Sequence, residues 1–255
     1  MINRNTFVAV LAACAIPFYA GVTVAAEGGH GAHWGYEGEF GPEHWGGMGD
    51  ENTLCGEGKR QSPIDISAVS VTELPKITFS YSESPLDITD NGHTIKVDYE
   101  KGSSITVGGK NYELLQFHFH SPSEHTVGGK SYPMVVHLVH KAADGQLGVV
   151  GVMMREGNAN DLIDQLWTMM PTRKDTEKSV EAVKINVASL LPKDSTYFNY
   201  SGSLTTPPCS EEVNWMVMAQ PIEVSSAQIE KFRTRYSGNN RPVQSLHDRQ
   251  VRLSN

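Results

Sequence analysis

One stretch of this chain alternates strictly enough to be a strand with two histidines on one face, and a second strand-like run carries a histidine that can meet them. In Gln116-Phe117-His118-Phe119-His120 an extended backbone sends successive side chains to opposite sides, so His118 and His120 share a face while Phe117 and Phe119 take the other. Gly128, Gly129 and Pro133 then mark a long turn, and Met134-Val135-Val136-His137-Leu138-Val139-His140 reads as the next strand. An antiparallel return can set His137 opposite the first pair. His140 falls on the other face and reads as a packed, hydrogen-bonded core histidine. His125, in a turn beside Glu124, stays open between a ligand and a structural donor, and His30, His33 and His44 in a Gly-rich arm read as solvated.

The remaining pattern is of the same kind. Segments 77–81 and 95–99 alternate, and Val107-Gly108-Gly109-Lys110-Asn111 supplies a hairpin turn into 112–120. Further strands are expected at 147–154, 183–187 and 213–219. Two helices interrupt them. One over 158–170 places Leu162, Ile163, Leu166, Trp167 and Met170 on one face, and Ser225-Ser226-Ala227-Gln228 is a capping box leading into Ile229, Phe232 and Tyr236. Residues 27–62 show no period and carry Trp34, Tyr36, Phe40 and Trp45, an irregular arm expected to pack through its aromatics. With no linker between 50 and 250, the expected architecture is a single β-dominated domain, α+β only at its margins, spanning 27–255 with peripheral helices. Acidic residues outnumber basic ones, 29 to 21, for a net charge of −8, a field that repels phosphate backbones and excludes nucleic acid as a partner.

The first residues follow a different logic. Arg4 precedes an uncharged stretch from Thr6 to Val24, with Ala25-Ala26 before Glu27, the pattern of a secretory signal peptide over 1–26. A membrane anchor is the competing reading; Pro17, the small residues at the end and the polar Glu27-Gly28-Gly29-His30 favour cleavage, leaving no span in the mature chain. Leu11-Ala12-Ala13-Cys14 resembles a lipid-attachment box, but apolar residues continue past Cys14. Export to a periplasmic or extracellular location follows. Cys55 and Cys209 would then remain as an even pair in an oxidising compartment, most simply a disulfide, two unrelated buried thiols being the alternative.

Three neutral imidazole nitrogens from two rigid strands suit Zn²⁺ with a fourth position open, the arrangement of catalytic zinc, and no cysteine accompanies them as in a zinc ribbon. At this point the sequence resembles a known family. Gln-x-His-x-His at 116–120, Ser-Glu-His-Thr at 123–126, His-Leu-Val-His at 137–140 and Ser203-Leu-Thr-Thr-Pro-Pro208 are similar to the α-class carbonic anhydrases of the exported bacterial type. His33-Trp-Gly-Tyr36, Gly41-Pro-Glu-His-Trp45, Gln61-Ser-Pro-Ile-Asp65, Asn240-Arg-Pro242 and Arg249-Gln250 extend the likeness over nearly all of the chain past the leader.

The resemblance implies a large, mostly antiparallel, twisted central sheet with a conical active site and makes His118, His120 and His137 zinc ligands. The implied activity is reversible hydration of carbon dioxide to bicarbonate and a proton with zinc hydroxide as nucleophile. Thr205 would accept the hydroxide's hydrogen bond and pass its own proton to Glu124, and Thr206 would contact bicarbonate. Val139, Val149, Leu204 and Trp215 would form an apolar wall for carbon dioxide. His93 occupies the family's proton-shuttle position, and Tyr36 and Asn91 match residues that order the connecting waters. Gln116 can receive the far N–H of His118. One departure stands out: the family's acidic partner of the third histidine stands two residues before it, and here that position is Val135. Two other classes compete. A non-catalytic carbonic-anhydrase-like binding domain usually lacks a zinc histidine, and a cupin-type dioxygenase adds a Glu ligand and uses iron or manganese. A homodimer stays open.

Overall fold

Ten strands laid edge to edge carry the chain, in a computed structural model that describes residues 33–255. They are β1 (Val69–Thr72), β2 (Ser84–Asp90), β3 (Ile95–Asp98), β4 (Lys110–His120), β5 (Met134–Ala142), β6 (Leu147–Glu156), β7 (Thr176–Ile185), β8 (Tyr197–Ser203), β9 (Glu211–Met218) and β10 (Val251–Ser254). Their order across the sheet is β7-β2-β3-β4-β5-β6-β9-β8-β10-β1, with Thr78–Ser80, Ser104–Val107 and Ile222–Val224 attached at its margins. Along that order the pairings are antiparallel except β6 with β9 and β10 with β1. The described residues belong to one compact unit, and none of their helices is long and apolar enough to cross a membrane. The expected leader at 1–26, the lipid-attachment reading at Cys14 and the reading of His30 lie outside the described residues.

The alternation of the sequence becomes a two-sided core. Met134, Val136 and Leu138 of β5 face the larger apolar cluster with Phe117, Phe119 and Val150, whereas Val135 and Val139 face a second cluster around Trp215. His137 lies between those two valines in the strand and shares their face. The hairpin before β4 forms as expected: Val107 pairs with Lys110, and Gly108 and Gly109 take φ of 58° and 79°, a left-handed turn that a Cβ would disfavour at both positions.

Four of the ten strands, β1, β2, β8 and β10, had no clear periodic signal: β1 is four residues long with two exposed side chains, and β8 buries Asn199 and Ser203 beside its tyrosines. β2 buries Ser84, Leu86, Ile88 and Asp90 on one face, so half of its inward positions are polar, and β10 is only four residues long. The strand expected at 183–187 instead runs Thr176–Ile185. It lies at the sheet edge, most of its side chains are exposed, and selection for apolar alternation is therefore weak there. The arm contains short 3-10 turns and a single helical turn, α1 (Leu54–Glu57).

The two predicted helices are α2 (Asp161–Met169) and α3 (Ser226–Arg233). Asn160 caps α2 by accepting from the amides of Leu162 and Ile163, and Ser225 and Gln228 complete the capping box of α3. Gln228 also joins the helices, accepting from the Asn160 amide at 3.1 Å and donating to its carbonyl at 2.8 Å. Burial of Leu162, Ile163, Leu166 and Trp167 contributes about 1.5–3 kcal/mol per large apolar side chain.

Cys55 and Cys209 are joined in a disulfide across 154 residues of sequence. On chain-entropy grounds a loop of that length is worth at most about 5 kcal/mol. Beside it the Arg241 guanidinium donates to Cys55 O, Ser62 O and Gln61 Oε1 and lies over the Trp45 ring, so one buried cation ties the arm to the sheet.

Candidate metal centre

Register builds the site. His118 of β4 stands opposite His137 of β5, which stands opposite Gly151 of β6. The next row on the same face runs Gln116, Val139, Val149, Trp215 and Tyr200 across β4, β5, β6, β9 and β8. A register shift between Leu114 and Gln116 leaves Leu115 between the paired residues and partly exposed.

Hydrogen bonds then aim the rings. His118 Nδ1 meets Gln116 Oε1 at 2.9 Å, and His120 Nδ1 meets the Asn239 carbonyl at 2.6 Å. Each bond fixes the proton on Nδ1 and turns the Nε2 lone pair inward. His137 is turned the other way: its Nδ1 is 3.7 Å from Glu124 Oε2, the atom that also lies 3.6 Å from His120 Nε2. One ligand atom from each of His118, His120 and His137 lies within 4.8 Å of the other two. Burial, followed by neighbouring histidine charge, holds His118 and His137 well below the ordinary imidazole range, so both are neutral donors at pH 7. His120 Nε2 and Glu124 Oε2 are buried without a hydrogen-bond partner, as expected of atoms facing a bound group. Three imidazole nitrogens with one open side fit a tetrahedral metal ion that keeps a site for water.

Glu124 sits fully inside the protein. Burial raises its pKa, against the nearby His120, the Arg241 amide at 2.9 Å, the Thr205 hydroxyl and the Arg241 charge. Thr205 is buried at the start of a turn in which the Cys209 amide donates to Thr206 O, so the disulfide directly anchors this loop. The Leu204 amide donates to Ser210 O, and Trp215 Nε1 donates to Ser203 O. Val139, Val149, Leu204 and Trp215 therefore fall in one apolar cluster beside His137.

His93 lines a cavity that the three converging histidines do not line. Its ring stacks on Trp34 with centroids 3.7 Å apart and planes 7° from parallel, in a cavity of about 360 Å³ that Tyr36, Tyr236 and Asn239 also line. Burial, then the charge of His33, lowers its pKa against the opposing pull of Asp175. Asn91 holds the turn, its Oδ1 accepting from the amides of His93 and Thr94, which commits that oxygen to the backbone. Tyr36 packs edge-on against Trp34 and Trp45, and burial with the charge of Glu124 raises its pKa well above the usual phenol value.

His125 is not among the three converging rings; its Nε2 meets Tyr200 Oη at 2.6 Å. His140 packs in the core between Tyr81 Oη and Gly148 O, with its pKa lowered by burial to about 4. His44 is exposed, and exposed His33 packs edge-on against Phe40. Residue-by-residue reading missed Asn239, Arg241 and Trp34. Asn239 supports His120 through its carbonyl while its side chain holds Ser121, Phe119 and His93. The only sequence signal for it was its place directly before Asn240-Arg241-Pro242.

The fold is a large, mostly antiparallel twisted sheet with a cup of three imidazoles at its centre, a group that could hold a metal ion. The profile of the eukaryotic-type carbonic anhydrase family matches residues 40–255. A carbonic anhydrase from Nostoc sp. is 43% identical over 224 residues, 86% of this chain and 85% of that protein. The structure of a hyperthermostable carbonic anhydrase from an active hydrothermal vent chimney superposes with a TM-score of 0.85 at 51% identity, covering 88% of this chain and 100% of that one. The α-carbonic anhydrase of Thermovibrio ammonificans, solved with the inhibitor sulfanilamide, gives 0.83 at 45% identity over 87% and 99%. The chain belongs to the eukaryotic-type, or α-class, carbonic anhydrase family and is an enzyme of that class.

Proposed function

We propose that His118, His120 and His137 hold one Zn²⁺ and that the chain catalyses reversible hydration of carbon dioxide to bicarbonate and a proton. The convergence of three imidazole nitrogens within 4.8 Å, beside Glu124 and Thr205, carries this reading. Bound zinc lowers the pKa of its water to about 7, a value established for carbonic anhydrase itself, and so supplies hydroxide at neutral pH. The protein's part is orientation. The Thr205 hydroxyl gives its proton to Glu124 and accepts the nucleophile's hydrogen bond, which aims a lone pair at the carbon. Val139, Val149, Leu204 and Trp215 offer carbon dioxide an apolar wall, and Thr206 would contact bound bicarbonate. The His-rich donor set without a ligating Glu favours zinc over the iron or manganese of a cupin. One zinc per chain by elemental analysis, with hydration lost on chelation and restored by zinc, tests the assignment; stoichiometric iron in its place would overturn it.

His93 exports the proton. Neutral at pH 7 and stacked on Trp34, it can receive a proton from inside and release it to buffer. His93→Ala is expected to lower turnover in weak buffer and to recover with added imidazole; activity in that variant independent of buffer would send the proton by another route. The leader pattern and the Cys55–Cys209 bridge both support an exported, periplasmic or secreted enzyme.

A further inference from the structure

Two of the three ligand rings are held from behind, and the third is not. If His137 binds metal through Nδ1, the atom turned toward Glu124, its proton must sit on Nε2. That Nε2 is buried and has no hydrogen-bond partner. The same is true of His125 Nδ1, on a ring whose centroid is 6.2 Å from that of His137. Both rings pack against Trp215, at 4.9 and 4.6 Å. The side chain two residues before His137 on the same face of β5 is Val135, fully buried, which can accept nothing.

We infer that Val135 limits how firmly this chain holds its metal, and that a carboxylate at 135 would bridge His137 Nε2 and His125 Nδ1. The inference rests on the zinc assignment above. A consistent proton arrangement exists for the bridge. Ser62 Oγ accepts the Ser203 amide at 3.0 Å and is free to donate to Tyr200 Oη at 2.8 Å; Tyr200 then donates to His125 Nε2. His125 Nδ1 then carries a proton, so two buried N–H groups on rings 6.2 Å apart lack an acceptor. A carboxylate has lone pairs enough for both, and its charge makes His137 a better donor to zinc. With valine there, His137 is positioned by packing alone, whereas His118 and His120 are positioned by packing and a hydrogen bond. Val135 is thus a positioning residue for the metal centre, acting through His137.

The test is zinc release from the holoenzyme into excess chelator, with zinc content and thermal unfolding measured on the same samples. Val135→Glu should slow release about 10- to 100-fold, the range known for such supporting partners in zinc enzymes, carbonic anhydrase among them. An unchanged rate would overturn the inference. Should the Glu variant fail to fold, Val135→Gln presents a neutral acceptor of the same length and should slow release by a smaller factor; an unchanged rate there overturns the inference equally. Val135→Leu should release zinc at the wild-type rate, and slowing as large as that in Val135→Glu would assign the effect to packing and overturn it too. Adding His125→Phe to Val135→Glu should return part of the gain, since the bridge loses one end; a fully retained gain would refute the bridge. Wild-type protein that takes up no zinc would instead overturn the metal assignment beneath it.

Discussion

His120→Ala is expected to purify with almost no zinc and to hydrate carbon dioxide close to the uncatalysed rate, a loss on the order of 10⁶-fold. His120 is the most constrained of the three rings. It is buried, its Nδ1 is held at 2.6 Å by the Asn239 carbonyl, and its Nε2 faces Glu124 and His137. Removing it leaves two donors on one row of the sheet, and two imidazoles do not hold zinc against water at the affinity of three. The fold should survive, because β4 is paired along both edges and the larger core lies on the opposite face. Far-ultraviolet circular dichroism like that of the wild type, together with metal content near zero, would separate a lost centre from a lost fold. Full zinc content and activity in His120→Ala would remove it from the ligand set.

Thr205→Ala should keep its zinc and still lose about 100-fold in hydration rate, equivalent to about 2.7 kcal/mol of transition-state stabilisation. No metal ligand is touched. The turn itself should persist, because its closing bond runs between the Thr206 carbonyl and the Cys209 amide and the disulfide holds its far end. What disappears is the hydroxyl that relates the nucleophile to Glu124, so the nucleophile loses its preferred orientation. Thr205→Ser, which retains the hydroxyl, should recover most of the rate, and stopped-flow assays of the two variants separate a lost hydrogen bond from a disturbed loop. Wild-type turnover in Thr205→Ala would take the residue out of the mechanism.

Much of this site could be read before any coordinates. Gln116, His118 and His120 are linked by a two-residue period, and the period alone puts them on one face. The cap at Ser225 was equally legible, since a cap is a local bond between neighbours in sequence, whereas the cap at Asn160 fell inside a helix expected to start at 158. The strands that escaped, β1, β2, β8 and β10, bury polar side chains or are too short for a period to show. Edge strand β7 was displaced because an exposed strand has little reason to alternate. Asn239 escaped for a different reason. It supports His120 through a main-chain carbonyl, and every residue has one, so the residue type carries no signal.

The local pattern by itself determined that this chain is a β protein, that three histidines belong to two strands, and that position 135 carries no acid. Those statements depend on period, turn chemistry and residue identity, which act over a few residues. Only the tertiary structure decided that His137 faces His118 rather than a neighbour one register away, that Trp34 stacks on His93, and that His125 and His137 share an unanswered pair of ring nitrogens. Each of these joins segments well separated in sequence or depends on which ring nitrogen points where. Such contacts are set by sheet register and by competition among buried polar groups for partners, and neither leaves a period in the chain.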